Sequence, residues 1–214
     1  MTRRRGRRLA LGLCALAGGG CFGLASEPAR HYYVLTCERP PGGMKPLFPG
    51  LVRVRDLDAE SAYDRFQMVL RKSPFELTYR QRDVWAVKPS RMLSDIMARS
   101  LVAENLFSGV TRELGERRPQ YLMSGELHAI EVIEDGQGDW TVHLALSLSL
   151  THFASGSTLW TSHFDAAHEA PRRNYAGAVE ALSNLAAEAF SRATVTLKQV
   201  PLPSPVPPAS ASGR

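Results

Sequence analysis

Cysteine is scarce in this chain: 214 residues hold three, Cys14, Cys21 and Cys37. That excludes a small scaffold stapled by disulfides, and the absence of any Cys-x-x-Cys pair excludes the usual thiolate zinc knuckles. Long apolar runs are missing as well. The most apolar stretch, Leu9–Ala17, is about half of the roughly 20 residues that a spanning helix needs, and its flanking glycines weaken it further. Acidic residues are absent from the first twenty positions, where Arg3, Arg4, Arg5, Arg7 and Arg8 account for the whole formal charge of +5. The other 21 basic residues match the 21 acidic ones, so the high isoelectric point gives no reason to expect a nucleic-acid partner. Catalytic signatures are lacking too. There is no His-Glu-x-x-His, no Gly-x-Ser-x-Gly elbow, and Gly42-Gly43 opens no phosphate loop. No enzyme and no cofactor is expected from these residues.

What the chain does have begins with an export signal. A basic stretch to Arg8 precedes Leu9–Ala17, then the small residues Gly18-Gly19-Gly20 lead to Cys21. Such a run ending at cysteine resembles a bacterial lipobox, in which residues 1–20 are removed and Cys21 carries acyl chains of the palmitate kind. Gly18 stands where that pattern prefers Leu. Cys14 is the poorer candidate, because the apolar run before it is too short. At about 0.8 kcal/mol per buried methylene, two or three chains anchor a protein stably without a spanning helix. Phe22, rather than Asp, follows the cysteine; by resemblance to sorting signals this favours the outer membrane, facing the periplasm. Residues 21–29 then read as a lipidated tether, 30–199 as a single domain, and 200–214, with its five prolines, as a tail that cannot repay its ordering entropy. After processing only Cys37 is a thiol, so the fold must hold by its core alone.

Within the body, His31–Cys37 reads as a first strand and Glu38–Gly50 as a long loop. Leu51–Leu57 alternates as a half-exposed strand, and Arg65–Arg71 and Phe75–Gln81 flank a Pro74 turn as a hairpin. Val84–Val87 adds a short strand with Trp85 after a polar corner at Arg82-Asp83. Pro89-Ser90 opens a helix, with Ser90 as its cap, whose face is Leu93, Ile96, Met97 and Leu101; Gly109 is a plausible stop. Three longer runs follow, Tyr121–Glu134, Asp139–Phe153 and Thr158–Ala166, separated by turns at 135–138 and 154–157. Val142, Leu144, Leu146, Leu148 and Leu150 take alternate positions, which predicts a sheet with one buried and one polar face. Asn174 caps a final helix with the stripe Tyr175, Val179, Leu182, Leu185, Ala186, Ala189 and Phe190. The expectation is an α+β, two-layer domain: a mostly antiparallel sheet with two amphipathic helices on one face.

One arrangement invites metal chemistry. If the hairpins close at the turns named, Glu131, His143 and His168 line up across three strands as a zinc-type ligand set. A one-residue slip destroys that row, and polar side chains on a solvated face are the simpler reading.

The stretch from Tyr63 to Asn105 carries a further pattern: Tyr63-Asp64-Arg65, a strand Gln67–Arg71 ending in arginine, a second strand Glu76–Tyr79, Trp85-Ala86, then Pro89 and a helix. It resembles the ABC-type transport auxiliary lipoprotein family, of the paraquat-inducible protein C kind. Phe66 stands where that family often has Pro, and Val87-Lys88 replaces a common Glu. The resemblance implies a non-catalytic lipoprotein that accompanies ABC transporters with mammalian-cell-entry-type substrate-binding subunits, which move phospholipid-like molecules between membranes. It also implies a membrane partner through the acyl anchor and the option of a homo-oligomeric ring. Asp64, Arg65, Arg71 and Trp85 are then the motif residues, with a role in strand-turn geometry preferred over contact with substrate. A lipoprotein scaffold for outer-membrane biogenesis is the alternative.

Replacing the proposed acylation site tests the anchor directly. Cys21→Ser should leave an unprocessed or unacylated protein, with the diacylglycerol mass missing from its amino-terminal peptide and the chain lost from detergent-extracted membranes.

Overall fold

The computed structural model describes residues 29–38 and 45–201. The expected signal peptide, Cys21 and the tail from 202 onward lie outside the described residues. Nine strands form one sheet: β1 (His31–Tyr33), β2 (Phe48–Val54), β3 (Asp58–Ala59), β4 (Gln67–Ser73), β5 (Glu76–Trp85), β6 (Phe107–Thr111), β7 (Tyr121–Glu134), β8 (Trp140–His152) and β9 (Thr158–Glu169). Two helices complete the chain, α1 (Pro89–Ala103) between β5 and β6, and α2 (Tyr175–Leu197) after β9.

The organising strand is β7. On one side it pairs antiparallel with β8 along its whole length, and β8 pairs antiparallel with β9. On its other side β2, β3 and β4 lie end to end, each parallel to it, at Val52↔Tyr121, Asp58↔Glu126 and Leu70↔Val132. The hairpin β4–β5 is antiparallel, and β1 and β6 add short parallel edges to β5 and β2. The long ladders are therefore antiparallel and the short ones mostly parallel, within an α+β fold.

The two helices cover one face. All five alternate residues Val142–Leu150 of β8 are buried, as are the seven stripe residues of α2 and the four face residues of α1. Asn174 caps α2 through its side-chain oxygen, which accepts from Gly177 N at 2.8 Å. Helix α1 departs from expectation at both ends. Its cap position is Lys88, with no side-chain cap bond, and Ser90 lies inside the helix. It stops not at Gly109 but at Asn105, in the left-handed region at φ 48°, where Asn105 N donates to Val102 O and Leu106 N to Leu101 O. That bond pair is a Schellman stop. Gly109 instead lies within β6, where an added Cβ would sit 2.9 Å from Leu51 Cδ1.

Three strand expectations also change. The first strand ends at Tyr33, because Thr36 N and Cys37 Sγ donate to Oγ and the carbonyl of Ser183, on α2 rather than to a strand. The polar corner at Arg82-Asp83 is no corner: β5 runs through to Trp85, since Asp83–Trp85 pair with β1. Strand β7 carries an irregularity between Leu127 and Ala129 that reverses its alternation. Before it Met123 and Leu127 oppose Leu150 and Leu146 on the helix side; after it Ile130 and Val132 oppose Leu144 and Val142 there. Glu131 is thereby turned to the opposite face.

Gly125, on β7, has no room for a side chain. A Cβ there would lie 2.2 Å from the Ser147 carbonyl and 2.9 Å from Leu57 Cδ2. Gly125→Ala should therefore cost about 2–3 kcal/mol through overpacking, read as a lower denaturant midpoint with unchanged slope.

Candidate functional site

The face away from the helices carries the polar residues, and one part of it is sealed. The turn Glu60–Phe66 folds over the sheet beside β4 and β7. Its Glu60 N donates to Leu127 O, and Tyr63 is buried. Beneath it Glu131, only 3% exposed, is held from three directions. Tyr63 donates its hydroxyl to Oε2 at 2.8 Å, and Arg71 donates Nε to Oε1 at 2.8 Å. His143 Nδ1 approaches the same Oε1 at 3.3 Å. Arg71 also donates Nη2 to the Tyr63 hydroxyl at 3.0 Å, closing the ring of bonds. His143 Nε2 lies 2.9 Å from Asp165 Oδ1, so the imidazole bridges two carboxylates when both nitrogens carry protons.

The electrostatics follow from that packing. Burial raises the Glu131 carboxyl, but the bonds from His143, Arg71 and Tyr63 and the Arg71 charge outweigh it, and the net shift is downward. The hydrogen bond to Glu131 raises His143 above its ordinary value, with burial opposing and Asp165 assisting. Burial first, then the bond to Glu131, pushes the Tyr63 phenol up to about 12. The cluster therefore holds an ionised Glu131, a charged Arg71 and a neutral phenol at neutral pH.

The remaining motif residues are likewise engaged within the chain. Lys88 Nζ donates to both Asp64 oxygens at 2.9 and 3.0 Å, so the lysine that departs from the family pattern is the aspartate's partner. Arg65 donates Nη2 to Ser61 O at 2.9 Å, and its guanidinium sits 3.8 Å over the Tyr79 ring. Trp85 is buried in the core, and its backbone N donates to Phe66 O at 2.7 Å. Arg112 was not singled out by sequence, yet it ties three elements together. Its Nε donates to Asp95 of α1 at 3.0 Å, Nη1 to the Val54 and Arg55 carbonyls, and Nη2 to Asp56. Asp165 was also missed; only the register brings it to His143.

The metal row does not form. Glu131 and His143 are opposite one another as expected, but His143 faces Ala167, and His168 pairs with Val142. His168 thus lies on the helix side, with Nε2 3.6 Å from Glu188 Oε2. An irregularity between Leu150 and Thr151 supplies the one-residue slip. Among the described residues no three His, Cys, Asp or Glu side chains are grouped to hold a metal ion.

Residues 33–192 match the model of the ABC-type transport auxiliary lipoprotein component. The chain belongs to this family. Two solved structures share the fold. A protein of the DUF330 family from Xanthomonas campestris aligns with TM-score 0.68 at 18% identity, covering 79% of this chain and 98% of its own. An uncharacterised protein aligns with TM-score 0.63 at 14% identity, covering 79% and 99%. No curated protein matches the chain. Family membership makes this a lipoprotein of the cell envelope, auxiliary to ABC-type transport. Among the described residues no helix is long and apolar enough to cross a membrane.

The cluster should govern the pH dependence of stability. Glu131, lowered from 4.5, contributes stability above that value and loses it as pH falls through its depressed folded value. His143, raised from 6.5, contributes fully below that value and loses its share as pH rises through its elevated folded value. Stability from this pair should peak between those two ordinary values, and His143→Gln should flatten the alkaline decline in denaturation midpoints. Glu131→Gln, which leaves Arg71 without its carboxylate, should cost about 3 kcal/mol by denaturant titration.

Proposed function

We propose that this chain is a non-catalytic, acyl-anchored accessory of an ABC transporter whose substrate-binding subunit is of the mammalian-cell-entry type, serving phospholipid traffic across the bacterial envelope. The anchor is Cys21, the membrane the outer one, and the folded residues 30–199 dock on the transporter subunit or on further copies of the chain. The observation that carries this reading is the family match over residues 33–192. The geometry adds support: the Tyr63-Asp64-Arg65 signature, Arg71 and Trp85 are consumed by bonds and packing within the chain. These residues act by holding the Glu60–Phe66 turn on the sheet, which shapes the docking surface without touching cargo.

Affinity capture of the full chain from detergent-solubilised membranes should recover a mammalian-cell-entry-type subunit with its permease and ATPase. Deletion should disturb envelope lipid homeostasis. Recovery of outer-membrane assembly proteins instead, with lipid composition undisturbed, would remove the proposal.

A further inference from the structure

The polar face of the sheet has two contrasting ends. At the Tyr63–Glu131 end Arg71, Glu131, His143 and Asp165 are tied to one another. At the other end, three rows of side chains cross the strands on the same side. They are Arg53–Leu122–Thr151, then Arg55 beside Ser124–Ser149–Thr161, then Asp58–Glu126–Ser147–His163, as the strand registers place them. Arg55 joins its row because its backbone N donates to Met123 O. The last two rows line a groove of about 320 Å3, within the range of small-ligand sites.

Its charges are unspent. The side chains of Arg55, Asp58, Glu126 and His163 make no hydrogen bond or ion pair among the described residues. Asp58 and Glu126 are directly opposite in a parallel pair, at a strand spacing of about 4.8 Å, where two like charges destabilise each other. A cation between them would convert that repulsion into two attractions. One row along, Arg55 stands beside two hydroxyls. Ser124 and Ser149 bond to each other at 3.0 Å, which uses one of their two protons and leaves the other to donate. An anion would find a guanidinium and an O–H donor there. The groove is thus a fixed pair of opposite half-sites, one sheet row apart, over a floor of hydroxyls.

We propose that this groove binds a phosphate–ammonium zwitterion of the phosphoethanolamine class, its phosphate at Arg55, Ser124 and Ser149 and its ammonium between Asp58 and Glu126. The inference rests on the lipid-transport reading for its biological source, and it names the headgroup that such an accessory would meet. A purely anionic headgroup would face two unmatched carboxylates, and a purely cationic one would leave Arg55 unmatched.

Titration calorimetry on the full chain in maltoside micelles tests it, with dihexanoylphosphatidylethanolamine, dihexanoylphosphatidylglycerol and free O-phosphoethanolamine as probes. Saturable binding of the ethanolamine lipid is expected, at least tenfold tighter than the glycerol lipid. The exposed double variant Asp58→Asn/Glu126→Gln should weaken it at least tenfold while tightening the glycerol lipid, so that the preference between the two is lost, and Arg55→Gln should weaken both. Near-UV circular dichroism should be unaltered in each variant. A lipid preferred over free phosphoethanolamine assigns the zwitterion to a membrane source, and equal affinities assign it to a soluble one. No saturable binding of either zwitterion, or binding indifferent to these charges, overturns the groove. Capture of the transporter subunit by a chain that binds no zwitterion would sink the groove alone, whereas zwitterion binding without that capture would sink the transport reading.

Discussion

The register of β7 is the constraint on which the rest of the molecule depends. One strand is hydrogen-bonded along both edges, to a single long neighbour on one side and to three short ones in succession on the other. Its irregularity at Leu127–Ala129 exchanges the two faces midway. Without that exchange, Ile130 and Val132 would leave the helix-covered core and Glu131 would enter it, an exchange of apolar burial for an unmatched charge. With it, the core remains continuous under both helices, and a carboxylate is delivered to the face where Tyr63, Arg71 and His143 can reach it.

That geometry shows how residues distant in sequence are tied together in this chain. Tyr63 and Arg71 meet on one carboxylate from separate elements, while Asp64 and Arg65 fasten the intervening turn through Lys88, Ser61 and Tyr79. Buried ion pairs owe their net worth to the completeness of their hydrogen bonding, and here each oxygen of Glu131 has a donor. The effect is to bind a turn to a sheet. A closed set of internal bonds keeps that part of the surface firm.

Much of this was legible in the chain itself. The period-two run Val142–Leu150 and the stripe of α2 report a sheet and a helix whose burial is decided by local pattern, so both were read correctly. The family pattern over Tyr63–Asn105 was legible because its residues are close in sequence. What escaped was set by distant partners. Strand β3 is two residues long and exists only because Asp58 and Ala59 meet β7. Strand β6 contains Gly109, which reads as a break until Leu51 is seen packed against it. The pairing of Glu131 with His143 followed from a turn, but His168 was misplaced because symmetry about residues 154–157 ignores the slip near Thr151. Asp165, Arg112 and the open groove at Arg55 depend on register and could not be read from local spacing.

The same architecture has a consequence for how the chain is born. Strands β2, β3 and β4 wait for a neighbour that begins at Tyr121, and the lone β4–β5 hairpin is only marginally stable in water. Loop closure over such separations makes assembly slow. Before β7 is made, the preceding elements have only helix α1, the β4–β5 hairpin and the short β1–β5 and β2–β6 pairs to hold them. The sheet is joined into one piece only once this late-made spine has followed.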